Sequence, residues 1–164
     1  MMGAGKSSVG RALAELSGRE FMDTDLILQH RFGRPVHQIF RLYGEEAFRS
    51  HETSVLKSLK PSPVVLATGG GIVTRPENWS ELQRLGVTLY LKASYETLLA
   101  RLEASKKKRP LLMAEEWPER VRSILDERSQ LYERAEITLP IDGCEISAIA
   151  AMAMEAIRAY EVHA

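Results

Sequence analysis

Short apolar runs rich in β-branched residues alternate along this chain with longer stretches whose apolar residues recur at helical spacing. Val64-Val65-Leu66-Ala67-Thr68 is almost continuously apolar, as a strand covered on both faces must be, and Gly69-Gly70-Gly71 closes it. Val87 to Lys92 and Ile137 to Ile141 predict two more strands. Pro140 has no N–H to give a neighbour, which places the latter at a sheet edge. A shorter strand is predicted at Glu20-Phe21-Met22, running into Asp23-Thr24-Asp25. The helical period marks Ser7 to Leu16, with Val9, Leu13 and Leu16 on one stripe. It marks also Glu45 to Leu59, Trp79 to Leu85, Tyr95 to Glu103, Trp117 to Arg134 and Ile146 to Tyr160. Strands alternating with helices predict an α/β fold, a parallel sheet covered on both faces. Ala104 to Glu116 resists that scheme: with Lys106-Lys107-Lys108-Arg109-Pro110 it reads as an exposed, mobile insertion, and its charges as a solvated run.

The 164 residues suffice for one domain, spanning 1–164, with a core that needs no disulfide or metal. Formal net charge is +0, so no global field draws the chain to nucleic acid or to a membrane surface, and neither is expected as a partner. Any anion site has to be local. No apolar run approaches the roughly 18 residues of a membrane span. The lone Cys144 has no internal partner, which fits a reducing, cytoplasmic setting. His30, His37, His51 and His163 are scattered without metal-ligand spacing.

One segment carries chemistry. Gly3-Ala4-Gly5-Lys6-Ser7-Ser8 stands at the head of the first helix and makes up most of the phosphate-binding pattern G-x-x-x-x-G-K-[ST]. In that pattern backbone N–H groups cradle phosphates, Lys6 reaches the β- and γ-phosphates of ATP, and the Ser7 hydroxyl ligates Mg²⁺. The pattern's first glycine would stand one position before Met1, and the apolar strand that normally leads into the loop is not in the sequence. Standing alone, these residues read equally well as a flexible glycine-rich terminus. Asp23 and Asp25 follow the short strand after that helix, where a carboxylate at a neighbouring strand end can hold Mg²⁺. Two acids spaced i, i+2 can divide the work, Asp23 toward metal and Asp25 toward a substrate hydroxyl, with Asp25 also a candidate cap for the next helix.

In order and spacing these residues resemble the shikimate kinases over essentially the whole chain. The resemblance runs through Gly-x-Gly-Lys-Ser, Asp23-Thr24-Asp25, Gly44-Glu45-Glu46-Ala47-Phe48-Arg49, Gly69-Gly70-Gly71, Arg109-Pro110-Leu111-Leu112 and Arg128-x-x-Leu131-Tyr132. It implies a three-layer α/β/α P-loop kinase with a helical substrate-binding region near 24–58 and a mobile lid near 103–116. It implies ATP and shikimate as substrates, Mg²⁺ as cofactor and a monomer. Arg49, Arg128 and the Gly69–Gly71 backbone then look like the substrate pocket, since guanidinium forks take a carboxylate bidentately and bare glycines let backbone approach a ligand. Asp25 resembles the acid that orients the attacking hydroxyl, and Lys6, Asp25 and Arg109 the catalytic set. Glu52 is placed to brace Arg49, while Phe40 and Phe48 either wall the substrate ring or pack in the core. Arg109 takes the place of the lid arginine, and Arg101 that of a residue stacked on adenine. Asp142-Gly143-Cys144-Glu145 lacks the arginine that some relatives place over the base.

Two other readings remain open at this point: a kinase of another hydroxylated acid such as gluconate, and a catalytically silent ligand-binding module. In the implied architecture a strand leading into the phosphate loop would be central. Its absence would leave two strand edges and an apolar slot exposed. The natural protein is therefore expected to start upstream of Met1.

Overall fold

The computed structural model describes residues 1–105 and 116–163. The lid candidate Arg109, the Lys106–Arg109 run and most of the predicted lid lie outside the described residues. The chain opens with a loop and α1 (Lys6–Ser17), then β1 (Glu20–Asp23), α2 (Thr24–Phe32), α3 (Val36–Ser58) and β2 (Val64–Ala67). A single 3₁₀ turn (Ile72–Thr74) leads to α4 (Glu77–Leu85), β3 (Leu89–Lys92) and α5 (Tyr95–Glu103). Then come α6 (Trp117–Tyr132), β4 (Ile137–Pro140) and α7 (Ile146–His163).

The strands and most helices fall within a few residues of where periodicity puts them. The long α3 is two helices joined at Gly44, whose φ of 80° and ψ of 170° break the spiral. Its second half is the predicted Glu45–Leu59 helix, and its first half was not marked by apolar spacing. That half and α2 fold back on each other around Leu28, Ile39, Phe48 and Val55, a small core separate from the main one. The substrate-side region thus has packing of its own. The main core gathers Val9 and Leu13 of α1, Leu98 of α5, Val121 and Ile124 of α6, and Ile149 and Ala153 of α7.

Strand pairing is parallel throughout, but the strands form two ribbons. β1 pairs with β2 in register Glu20 to Val64, and β3 pairs with β4 in register Leu89 to Ile137. Pro140 lies on an edge strand, as its chemistry requires. Between the ribbons is a cavity of about 670 Å³ lined by the whole of β2 and by Leu89, Tyr90 and Leu91 of β3. Two open strand edges around an apolar slot are what an α/β sheet without a strand at that position presents. α1 packs on β1, β2 and α7, and α7 in turn packs on β4, so this helical pair spans both ribbons.

Candidate active site

The phosphate-loop residues turn on two glycines in left-handed conformation, Gly3 (φ 78°) and Gly5 (φ 84°), where a side chain would be strained. Gly5 is the N-cap of α1 and supplies no capping side chain, and no acidic residue stands in the first turn. The N–H groups that start a helix lack intrahelical acceptors and carry the positive end of its dipole. The start of α1 is therefore suited to an anion. Lys6 donates from Nζ to the Met1 carbonyl at 2.8 Å. Ser7 Oγ donates to Asp23 Oδ2 at 2.7 Å, which joins the loop to the end of β1.

Asp23 also accepts the Asp25 backbone N–H at 2.9 Å through Oδ1 and is the N-cap of α2. This corrects the expectation that Asp25 would cap that helix. An extended Asp23 places its own carboxylate over the first-turn amides, and Asp25 falls inside the turn with its carboxyl directed elsewhere. A Cβ built on Gly69 would lie 3.0 Å from Asp25 Oδ1, so that carboxyl reaches the glycine triplet.

Arg49 is buried and held from both sides, at 2.5 Å by Glu52 and at 3.0 Å by Glu45. Phe40 and Phe48 flank its guanidinium with ring centroids 5.5 and 5.6 Å away. Both rings line the cavity described below, and Phe48 is also part of the small core, so it serves as wall and packing together. A Cβ on Gly71 would overlap the Arg49 guanidinium, so bare backbone is required there. Burial raises the Glu52 carboxyl above its ordinary range, and Arg49 pulls it partly back. Glu52 Oε1 is buried without a hydrogen-bond partner, close to Gly69. Burial opposes the Arg49 charge, yet Glu52 and Glu45 raise its pKa overall.

Two contacts that fix the triplet were not anticipated from sequence. The Gly69 N–H donates to Thr24 Oγ1 at 3.1 Å, and the Tyr132 hydroxyl donates to the Gly70 carbonyl at 2.6 Å. Tyr132 stacks on Tyr90 with centroids 5.1 Å apart, and burial pushes its hydroxyl pKa up. One turn earlier on α6, buried Arg128 faces the same space.

At the far end, Arg101 donates from Nη1 to the Ala4 carbonyl at 3.3 Å. Ala4 itself is fully buried, and its side chain faces the core. Asp142 accepts the Ser94 N–H at 2.9 Å and ties the loop after β4 to the start of α5. The Thr97 hydroxyl first, and the Ser94 N–H next, hold its carboxyl below the usual aspartate range. Cys144, half-buried, donates to the Asp142 carbonyl at 3.5 Å.

One cavity of about 1060 Å³ runs from the phosphate loop to the buried arginines. Gly3, Gly5, Lys6, Ser7 and Ser8 line it, with Arg101 and Cys144 toward one end. Asp23 and Asp25 stand near the middle, and Arg49, Arg128 and Gly69–Gly71 toward the other end. Of the sequence-derived site residues, Ala4 alone among those described is absent from the wall. Among the described residues no group of three His, Cys, Asp or Glu could hold a metal. Ser7 and Asp23 are nonetheless a pair of hard oxygen donors, the set that suits a Mg²⁺ completed by phosphates and water. The arrangement sets a polyphosphate cradle beside two carboxylates and opposite two buried arginines.

The family model described as shikimate kinase matches residues 2–158. The shikimate kinase of Legionella pneumophila (strain Corby) is 41% identical over 151 residues, covering 91% of this chain and 86% of that protein. That of Acinetobacter baylyi is 48% identical over 132 residues, covering 80% and 73%. Among solved structures, shikimate kinase from Acinetobacter baumannii in complex with shikimate superposes with a TM-score of 0.91 at 38% identity, covering 97% of this chain and 89% of that one.

Proposed function

Because this chain belongs to the shikimate kinase family, we infer that it transfers the γ-phosphoryl group of ATP to shikimate, releasing ADP and 3-phosphoshikimate. The observation that carries the reading is the single cavity linking the Lys6 loop to the buried Arg49–Glu52 pair, with Asp25 on its wall. Arg49 and Arg128 take the substrate carboxylate, and the Gly69–Gly71 backbone closes against the ring. Glu52 and Glu45 hold the Arg49 guanidinium in place beside the small α2–α3 core, so little freedom is lost when the acid docks.

Asp25 accepts a hydrogen bond from the attacking hydroxyl and aims its oxygen at the γ-phosphorus. A bond forms between that oxygen and phosphorus as the bond to the β–γ bridging oxygen breaks, and the hydroxyl proton passes late in the transfer to the Asp25 carboxylate and from there to solvent. Such transfers need position and charge neutralisation more than a strong base. Lys6 and the α1 amides meet the growing charge on the leaving phosphate. Ser7 and Asp23 are the residues that would hold Mg²⁺, which would neutralise part of the charge on the transferring phosphates. Arg109, outside the described residues, is proposed to fold onto the same phosphates when a lid closes, and Arg101 to lie beside the base. A cytoplasmic setting is proposed from the substrates alone; among the described residues no helix is long and apolar enough to cross a membrane.

The test is ADP release with Mg·ATP and shikimate, gluconate or no acceptor. Turnover that requires shikimate is expected. Equal rates with gluconate, or none with shikimate under conditions where both substrates bind, would sink the reading. Within the same assay, Gly69→Ala is expected to lower kcat about 10²-fold, the cost of displacing reacting groups by about an ångström. The new methyl would strike Glu52 Oε1 and crowd Asp25 Oδ1. A kcat unchanged in a folded Gly69→Ala enzyme would show that neither carboxylate needs its present position.

A further inference from the structure

Each backbone polar group of the glycine triplet can be followed to its partner. The Gly69 carbonyl accepts the Ile72 N–H at 3.2 Å. The Gly71 carbonyl accepts the Thr74 N–H at 3.1 Å and the Thr74 hydroxyl at 2.8 Å. The Gly69 N–H goes to Thr24 Oγ1, and the Gly70 carbonyl accepts the Tyr132 hydroxyl. Among the described residues only the N–H groups of Gly70 and Gly71 are left without an acceptor. A turn whose three carbonyls are all engaged therefore offers two donors.

The ties on the Gly69 and Gly71 carbonyls come from within the turn itself. The tie on the Gly70 carbonyl comes from α6, 62 residues further along the chain. The peptide it holds lies between two glycines, so no Cβ on either side opposes its rotation. The Tyr132 hydroxyl has one proton to give. Its other neighbours are the Arg128 guanidinium, which accepts nothing, and Met1 Sδ at 3.7 Å, a weak acceptor. The proton is thus committed to Gly70.

Tyr132 is 5% exposed, stacks on Tyr90 with the ring planes 20° apart and belongs to the main core. Gly69, Gly70 and Gly71 line the active-site cavity, and Tyr132 does not. The Gly70 carbonyl is accordingly drawn toward the core. No peptide bond is cis, so the N–H of the Gly70–Gly71 unit points the other way, to the cavity side. Turned over, the same unit would set a carbonyl oxygen against an acid held by Arg49 and Arg128.

We propose that Tyr132 is a positioning residue for substrate binding: by holding the Gly70 carbonyl it fixes the Gly70–Gly71 peptide with its N–H toward the cavity, where it donates to an oxygen of the bound acid. This rests on the substrate reading above. The side chain touches no substrate and acts through the backbone it orients.

The test uses the full chain labelled with ¹⁵N-glycine, as parent, Tyr132→Phe and Tyr90→Phe. The last removes a hydroxyl from the same ring stack and serves as the control. In the ligand-free parent and control, ¹⁵N relaxation and relaxation dispersion are expected to show a rigid Gly71 amide, and in Tyr132→Phe a mobile one. Saturating shikimate is expected to move the Gly71 amide proton downfield in parent and control, and by less than half as much in Tyr132→Phe. In the ADP-release assay Tyr132→Phe is expected to raise the KM for shikimate about tenfold, with a smaller change in kcat and none in the KM for ATP. Its Tm is expected to fall by about 2–4 °C. A Tm loss with parental KM and a rigid Gly71 amide would make Tyr132 a core residue only and overturn the proposal. An equal rise in KM for Tyr90→Phe would assign the effect to the stack and overturn it too. A parent that neither binds nor phosphorylates shikimate would remove the substrate reading. The ligand-free relaxation data would then still decide whether Tyr132 fixes the peptide.

Discussion

Replacing Lys6 by methionine will lower kcat for shikimate phosphorylation about 10²–10³-fold while leaving the thermal midpoint close to that of the parent. The side chain is half-buried at the first position of α1, and its Nζ donates to the Met1 carbonyl at 2.8 Å. Methionine keeps the length of the stem and its contact with the loop, and removes the charge. What is lost is a cation positioned where negative charge grows on the leaving phosphate, beside the backbone amides that start α1. The deficit should fall on kcat more than on the KM for ATP, because an interaction stronger in the transition state than in the ground state acts on the chemical step. Steady-state kinetics with ATP varied at saturating shikimate gives both numbers. A kcat within about threefold of the parent would remove Lys6 from the reaction and leave the α1 N-terminus as the phosphate site.

Much of this site could be read before any coordinates, and what could not be read has a physical pattern. Residues whose role depends on short sequence spacing were accessible: Gly5 with Lys6 and Ser7, the Asp23–Asp25 pair, and Glu52 one turn from Arg49. Glu45 stands four residues before Arg49, and that spacing would have found the second carboxylate had it been sought. Contacts that join distant segments were hidden. Thr24 holds Gly69 across 45 residues, Tyr132 holds Gly70 across 62, and Asp142 holds Ser94 across 48. Nothing local in the chain marks any of these three side chains as polar anchors.

The fold shows the same division. α1 and the four strands came from the alternation of short apolar runs with helical stripes. The first half of α3 did not, because Gly44 interrupts it and its apolar residues serve two ends at once. Ile39 turns into the small core, whereas Phe40 lines the cavity. A helix with two apolar obligations has no single stripe. The division of the sheet into two ribbons follows the architecture that the family resemblance implies, in which a strand leading into the phosphate loop is central. The residues facing that gap, chiefly Trp79 and Tyr90, were known only as apolar positions until β2 and β3 were placed.

Arg49 is where stability and substrate binding meet, and the two can be pulled apart. Arg49→Met alone removes a guanidinium held by Glu52 at 2.5 Å, at a point where the glutamate side chain is 1% exposed. Breaking such a pair leaves a buried carboxylate without its counter-charge, and a loss of about 3–5 kcal/mol is expected in urea unfolding. The loss will depend on pH. Burial already raises the Glu52 carboxyl above its ordinary range, with Arg49 opposing that shift. The folded state therefore holds the proton more tightly than the unfolded chain does. Stability from this group is full below the ordinary glutamate range and is lost as pH rises through the raised value. Without Arg49 the pKa rises further, so the variant's deficit should widen from about pH 5 to about pH 8. Adding Glu52→Gln to Arg49→Met removes the orphaned charge, and most of the stability should return with the pH dependence gone. The KM for shikimate should not return, staying about 10²-fold raised, because no fork is left to take the carboxylate. If the double variant recovers both, Arg49 holds the fold and Arg128 alone binds the acid. If it recovers neither, the α2–α3 core needs the ion pair itself, and the substrate region cannot be treated as a preformed clamp.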